Sequence, residues 1–394
     1  MKDRFARPLD TLNFALADAR GALGPFLNVY LVTQRHWSQS AVGLVMTVGG
    51  LIGLAAQTPL GAAIDATRAK RGFIIAATLV LALAAVMIFA APFFWPVLAA
   101  NSLIAVVGDV FAPAVAAVTL GLYAKEKLAR RLGRNSAFDH AGNVTIAAVA
   151  GAVGWAFSQR AVFLLVPLCA AATVIATLAI PAAAIDHRRA RGGKEAEDDG
   201  TSSWTVLATC RPLLIYAGCA LLFHFANAPL LPLVGQKLAM AHKAFATAML
   251  SACIIAAQLI MLPIALAVGA TADRFGRKPI LLIGFGILPV RALLYTFSDQ
   301  SWWLIGVQLL DGVGAGIFGA ITPLLIADLM RGTGRYNVAQ GAVATMQGVG
   351  ASMSGLAAGV IVDHAGYDAA FLALGGAALL AFLALLLWMP ETRR

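Results

Sequence analysis

The chain has 394 residues, of which 60% are hydrophobic and only 12% charged, with a mean hydropathy of +0.82 and a formal net charge of +10. That much apolar surface exceeds what a soluble domain can cover with polar groups, so the chain reads as an all-α integral membrane protein. The basic excess would suit a nucleic-acid partner, but the Lys and Arg residues fall between long apolar runs, which makes them a topology signal and excludes nucleic acid.

Crossing a hydrocarbon core of about 30 Å at 1.5 Å per residue takes roughly 20 apolar residues. Twelve such runs lie near 11–34, 41–63, 72–92, 96–122, 136–157, 161–184, 212–235, 244–268, 279–297, 302–329, 338–362 and 369–389. The opening "MKDRFARPLD" leads into a full-length span with no small-residue cleavage site, so the first helix is expected to be retained. With the N-terminus in the cytoplasm, twenty-three Lys and Arg residues fall inside and four (Arg35, Arg160, Lys237, Lys243) outside, while Arg20 and Arg291 lie within spans. This asymmetry predicts a multi-pass protein of the cell inner (plasma) membrane with both termini cytoplasmic. The four cysteines lack paired spacing and read as small buried hydrophobes.

An ionisable side chain at mid-bilayer costs at least about 2.5–3.5 kcal/mol, so each needs a partner, a wet cavity or a role. In chain order these are Asp18 and Arg20 in helix 1, Asp109 in helix 4, His224 in helix 7, Arg291 in helix 9 and Asp311 in helix 10. Arg20 is the internal counter-ion for one of the first-half carboxylates, and Arg291 is expected to form a structural ion pair with Asp311 on the next helix. Helix 5 opens with Asp139, His140 and Asn143, close enough to the cytoplasm to meet water or Arg134. In helix 7, "FHFANAPLLPL" sets His224 and Asn227 on one face above Pro229 and Pro232, which remove two backbone donors and bend the helix. His224 titrates near neutrality.

The polar stretch from Asp186 to Trp204 divides the spans six and six, giving a first bundle at 1–185, a cytoplasmic linker at 186–211 and a second bundle at 212–394. Pro25 and Pro232 stand 207 apart, Gly61 and Gly269 208 apart, and Pro113 and Pro323 210 apart, so the chain is a duplicated six-helix unit. Such parallel repeats, with a site near the midplane between them, describe one class of secondary transporter.

The segment "GATADRFGRKP" at Gly269–Pro279 lies between helices 8 and 9, and a frayed copy, "GAAIDATRAKR", begins at Gly61 between helices 2 and 3. Gly269 is expected to permit close packing, Gly276 a tight turn, and Arg274, Arg277 and Lys278 to hold the loop inside. Asp273 can pair with a neighbouring Arg or a helix N-terminus. The pattern Gly-x-x-x-Asp-Arg-x-Gly-Arg-Lys resembles the loop signature of the major facilitator superfamily, complete in the second half. In the first half Gly61 and Asp65 are kept but Ala66 stands where the Arg is expected. The resemblance implies twelve transmembrane helices in two pseudo-symmetric six-helix bundles, with helices 1, 4, 7 and 10 lining a central cavity. It also implies gating latches at Asp65 and Asp273, and a packing in which Asp18 and Asp109 face one another. The helix-5 Gly-Pro signature and the helix-4 Arg of the family's drug/proton antiporters are absent, with Asn101 at the latter's place.

The expected function is secondary active transport of a small molecule or ion by alternating access, as a proton-coupled symporter or antiporter, monomeric in the lipid bilayer and without a cofactor. Asp18, Arg20, Asp109, His224, Asn227 and Asp311 are the candidates for solute or proton binding. Asp65, Gly269, Asp273, Arg274, Gly276 and Arg277 are the candidates for gating. An alternative is a metal-ion or metal-chelate carrier with Asp18 and His224 as ligands. From another class, a non-transporting receptor or scaffold would not need titratable groups inside its spans. No nucleotide loop, zinc spacing or nucleophile elbow points to an enzyme.

Overall fold

The computed structural model describes residues 5–21, 23–67, 69–186, 207–331, 333 and 335–392. Among them there is no strand, and the α-helices in chain order are α1 (Ala6–Gly21), α2 (Leu23–Thr33), α3 (Gln39–Ala66), α4 (Lys70–Ala90), α5 (Phe94–Leu122), α6 (Lys125–Ala156), α7 (Leu165–Leu178), α8 (Arg211–Asn227), α9 (Leu230–Ala241), α10 (Ala246–Phe275), α11 (Arg277–Leu294), α12 (Ser301–Leu329) and α13 (Tyr336–Trp388). Taking α1 with α2 and α8 with α9 as single passages, and the two arms of α13 on either side of Gly366 (φ 83°) as two, these make twelve passages. Among the described residues, eight helical stretches meet length and apolarity requirements for a membrane span on their own terms. One of the eight holds both arms of α13, whereas α11 is only 18 residues long and carries Arg277, Lys278 and Arg291.

Two compact units divide the chain: residues 1–35 with 48–194, and residues 36–47 with 195–394. In the first, α4 shows how a membrane helix is built. Ile74, Ala77, Thr78, Leu81, Ala84, Ala85 and Ile88 form a buried stripe at helical spacing. Leu79, Leu83 and Val86 on the opposite side are exposed, as an apolar face must be where the solvent is lipid. Between α3 and α4, Lys70 is 1% exposed and its Nζ donates to the Ile64 carbonyl at 2.9 Å, satisfying an orphan acceptor at the end of α3. The turn from α3 to α4 thus holds a buried cation.

In the second unit α13 packs along α8, and α10 along α12. A Cβ at Gly350 would overlap the Leu221 carbonyl, and one at Gly312 the Ala257 carbonyl, so both seams depend on backbone-to-backbone approach. Residues 36–47 belong to this unit and begin α3 against α13. Asp363 accepts from the backbone N–H of Gln39 (3.0 Å) and of Ser40 (2.8 Å) and from the Ser40 hydroxyl (2.6 Å), capping the helix start from 324 positions away. Two turns on, Thr47 donates to the Ser352 carbonyl at 2.6 Å.

Prolines Pro59, Pro113, Pro263, Pro289 and Pro323 lie inside helices, which membrane helices tolerate. The Pro229/Pro232 pair instead ends α8 at Asn227 and restarts the chain as α9 at Leu230. One boundary differs from expectation. Helix α6 begins at Lys125, so Asp139, His140 and Asn143 sit about four turns in and not at its start. The polar run "KEKLARRLGR" is rich in strong helix formers, and its charge does not oppose a helix that projects into water.

Candidate functional site

Three helices of the second unit bring the site together. Arg291 on α11 is 2% exposed, and Asp311, eleven residues into α12, has a side chain 19% exposed. The Arg291 Nη1 and Asp311 Oδ1 form a direct ion pair. Gln308, one turn before Asp311, donates its amide Nε2 to Asp311 Oδ2 at 2.9 Å, and the Tyr295 hydroxyl donates to Gln308 Oε1. That hydroxyl fixes which way the amide points, so both donors converge on a carboxylate that only accepts. The Arg291 Nε is buried with no hydrogen-bond partner. Beside the pair lies a cavity of about 10 Å³, lined by Phe223 and Asn227 of α8, Gly284, Ile287, Leu288 and Arg291 of α11, and Leu310, Asp311, Gly314 and Ala315 of α12. It barely admits one water.

Asn227, Arg291 and Asp311 are therefore neighbours, and the expected Arg291–Asp311 ion pair is present. His224 is on the same helix as Asn227 but not in the cavity lining. Its Nδ1 faces the Ala220 carbonyl at 3.0 Å, and its ring stands edge-on to Phe318 at 4.9 Å between centroids. With Nδ1 as donor, Nε2 is left as an acceptor. The side chains of Asp18, Arg20, Asp65 and Asp109 lie outside the described residues. No group of three or more His, Cys, Asp or Glu among the described residues is arranged to hold a metal ion.

The loop motif forms a second cluster. Arg277, 7% exposed, gives Nη1 to Asp273 at 2.8 Å and Nε to Asp328 at 2.9 Å, and Arg331 also reaches Asp328 at 2.9 Å. Asp273 is 90% exposed while Asp328 is 9% exposed, so the buried half of the network belongs to Asp328. Gly276, at φ 90°, turns the chain between α10 and α11, and Glu391 accepts from the freed N–H groups of Arg277 (2.9 Å) and Lys278 (3.0 Å). Arg274 is exposed, with its guanidinium 5.3 Å from the Phe275 ring centroid. Among the described residues, no heavy atom beyond its chain neighbours and its own helix backbone comes within 4 Å of where a Gly269 Cβ would stand, so the expected close packing at Gly269 is not seen in this conformation.

A third cluster, in the first unit, was not singled out from sequence. Asp10 on α1 takes Nη2 of Arg131 at 2.7 Å and Nη2 of Arg134 at 2.6 Å from α6. Arg131 continues to Asn135 at 2.8 Å, and Asn135 to Thr119 of α5 at 3.0 Å. Burial pushes the Asp10 carboxyl upward, but the two guanidiniums outweigh it and hold the group below the usual carboxylate range.

The family model described as Major Facilitator Superfamily matches residues 10–265 and 215–394. An uncharacterized MFS-type transporter of Mycobacterium tuberculosis is 49% identical over 99% of this chain and 94% of its own length. A gallate transporter of Pseudomonas putida is 28% identical over 48% of this chain and 40% of its own. A crystal structure of the nucleoside transporter NupG matches 98% of this chain and 98% of that one with a TM-score of 0.81 at 14% identity, a likeness of fold. Relatives and fold alike are those of transporters and not of enzymes. On the match along its length and the 49% identical relative, this multi-pass membrane protein belongs to the Major Facilitator Superfamily.

Proposed function

We propose that the chain is a secondary active transporter that carries a small solute across the inner membrane by alternating access, coupled to protons and working as a monomer. Both termini and the 186–211 linker lie on the cytoplasmic side in this reading. The observation that carries it is the Asp311 carboxylate, held within a membrane-spanning helix by Arg291 and Gln308 beside the cavity that Asn227 lines. An ion pair there costs desolvation that an apolar pair of similar volume would avoid, so its presence argues for a role beyond holding helices together.

In this proposal Asp311 carries the proton, Arg291 and Asn227 face the solute, and His224 serves as a further titratable group one turn away. Asp18, Arg20 and Asp109 supply the first-half counterpart. Asp65, Gly269, Asp273, Arg274, Gly276 and Arg277 act in gating. The gallate transporter among the relatives suits a small solute.

The purified chain in liposomes, with a pH gradient imposed, tests the reading across a metabolite panel. Wild-type protein should accumulate at least one solute against its gradient, while Asp311→Asn should exchange that solute without accumulating it. Accumulation by Asp311→Asn with wild-type dependence on the gradient would remove Asp311 from coupling.

A further inference from the structure

We infer that Arg291 is the recognition group for a small organic anion, whose carboxylate replaces that of Asp311 on the guanidinium once Asp311 has taken a proton. The inference rests on the proton-coupled reading above and names its substrate class.

Three observations carry it. The first is the order of access: the Arg291 side chain is 3% exposed and that of Asp311 19%, so the acid is the more accessible member of the pair. The second is the unused donor. Arg291 engages Asp311 through Nη1 while its Nε is buried without a partner among the described residues, so the guanidinium has an unused donor that a planar carboxylate seated on it would take. The third is charge. Arg291 is fully matched by one carboxylate, so a cationic solute beside Asp311 would leave the guanidinium uncompensated in a low-dielectric site, whereas an anion arriving with a proton leaves the sum unchanged.

The groups that face Asp311 from the packed helices, among the described residues, are consistent with this exchange. Arg291 and Tyr295 come from α11, Gln308 from its own helix, buried Cys253 from α10 and Asn227 from α8, with His224 a turn further along. Only Arg291 is a cation. The proton adds to a carboxylate oxygen of Asp311, the Arg291 ion pair opens, and the solute carboxylate closes a new one. One proton accompanies each negative charge in the same direction, so the movement is electroneutral.

A panel of aliphatic and aromatic monocarboxylates, each matched with its carboxamide, tests the assignment on the detergent-purified full chain by thermal shift below and above neutral pH. At least one carboxylate should stabilise the wild type, bind about tenfold or more tighter at the lower pH, and have an inert carboxamide. Asp311→Asn should bind the same carboxylate with the pH difference lost. Arg291→Lys, which keeps the charge and loses the planar fork, should bind it about tenfold or more weakly, and serves where Arg291→Gln does not fold. In liposomes, uptake of that carboxylate should be indifferent to a membrane potential. Stabilisation by carboxamides or amines as strong as by carboxylates, or no carboxylate binding at all, would overturn the inference. Carboxylate binding that responds to Arg291→Lys as expected, without accumulation driven by a pH gradient, would sustain the recognition and defeat only the coupled-transport reading. Accumulation of a neutral or cationic solute would sustain coupling and defeat the anion.

Discussion

The loop motif makes Asp273 the natural target for mutation, yet the geometry assigns the larger effect to Asp328. Both carboxylates bind Arg277 at nearly the same distance, 2.8 and 2.9 Å. They differ in surroundings: Asp273 is 90% exposed and forms an i,i+4 pair in water, a contact worth about 0.3–0.5 kcal/mol. Asp328 is 9% exposed and faces an arginine side chain that is 8% exposed. Removing one partner of a buried pair costs about 3–5 kcal/mol, because the other charge is left in low dielectric. Asp273 still faces Arg277 in an Asp328→Asn variant, and Arg331 is mostly in water, so the upper end does not apply. The expected cost of Asp328→Asn is about 2–3 kcal/mol, several times that of Asp273→Asn. The double variant should lose more than the sum, since only then does the Arg277 guanidinium lose both Asp273 and Asp328. Thermal unfolding of detergent-purified protein, followed by tryptophan fluorescence, ranks the four proteins. If Asp273→Asn melts as low as Asp328→Asn, burial does not decide the strength of these pairs and the reasoning fails.

Two further outcomes follow from contacts joining distant parts of the chain. Asp10→Ala leaves Arg131, 4% exposed, with only Asn135 and the Ala6 carbonyl as hydrogen-bond partners among the described residues, and should lower the unfolding midpoint by the equivalent of about 2–4 kcal/mol; an unchanged midpoint would count against the network. Because the folded-state pKa of Asp10 is depressed, its contribution is present above the ordinary carboxylate value of 3.8 and is lost as pH falls through the lower folded value, so the wild-type advantage over Asp10→Asn should be flat near neutrality and shrink only in acid. Asp363→Ala removes the cap on α3 and should cost about 1–2 kcal/mol while speeding hydrogen exchange at residues 39–42; protection equal to wild type there would show that the cap is not what orders this end.

The spans were legible because hydrocarbon selects apolar runs by length alone, a signal that needs no partner. The Arg291–Asp311 contact was legible for a related reason: opposite charges inside adjacent spans are rare enough that each points to the other. Asp10 carried no such signal. It precedes the first apolar run, and its partners Arg131 and Arg134, more than 120 positions away, sit in a charged stretch that topology counting accounts for in full. Asp328 and Glu391 were hidden in the same way, near helix ends where charge is expected, and only the packing of α11 against α12 and α13 gives them work to do.

Duplication sharpens the significance of the site. With the 207–210-residue offset that relates the halves, Asp311 corresponds to Asn101, and Arg291 to the neighbourhood of Leu83, so the first half holds no copy of the ion pair. Asn227 in turn corresponds to Arg20. A contact needed merely to hold helices 9 and 10 together would be needed by helices 3 and 4 as well, yet α4 and α5 pack with Leu83 and Asn101 at the corresponding positions. Fold stability is thus a weak reason for keeping the pair. What the two halves do not share is the work assigned to each. In the proposed function a coupling group needs to exist only once, and an Arg–Asp pair at this place in helices 9 and 10, with Leu83 and Asn101 at the corresponding first-half positions, has the distribution that such a group requires.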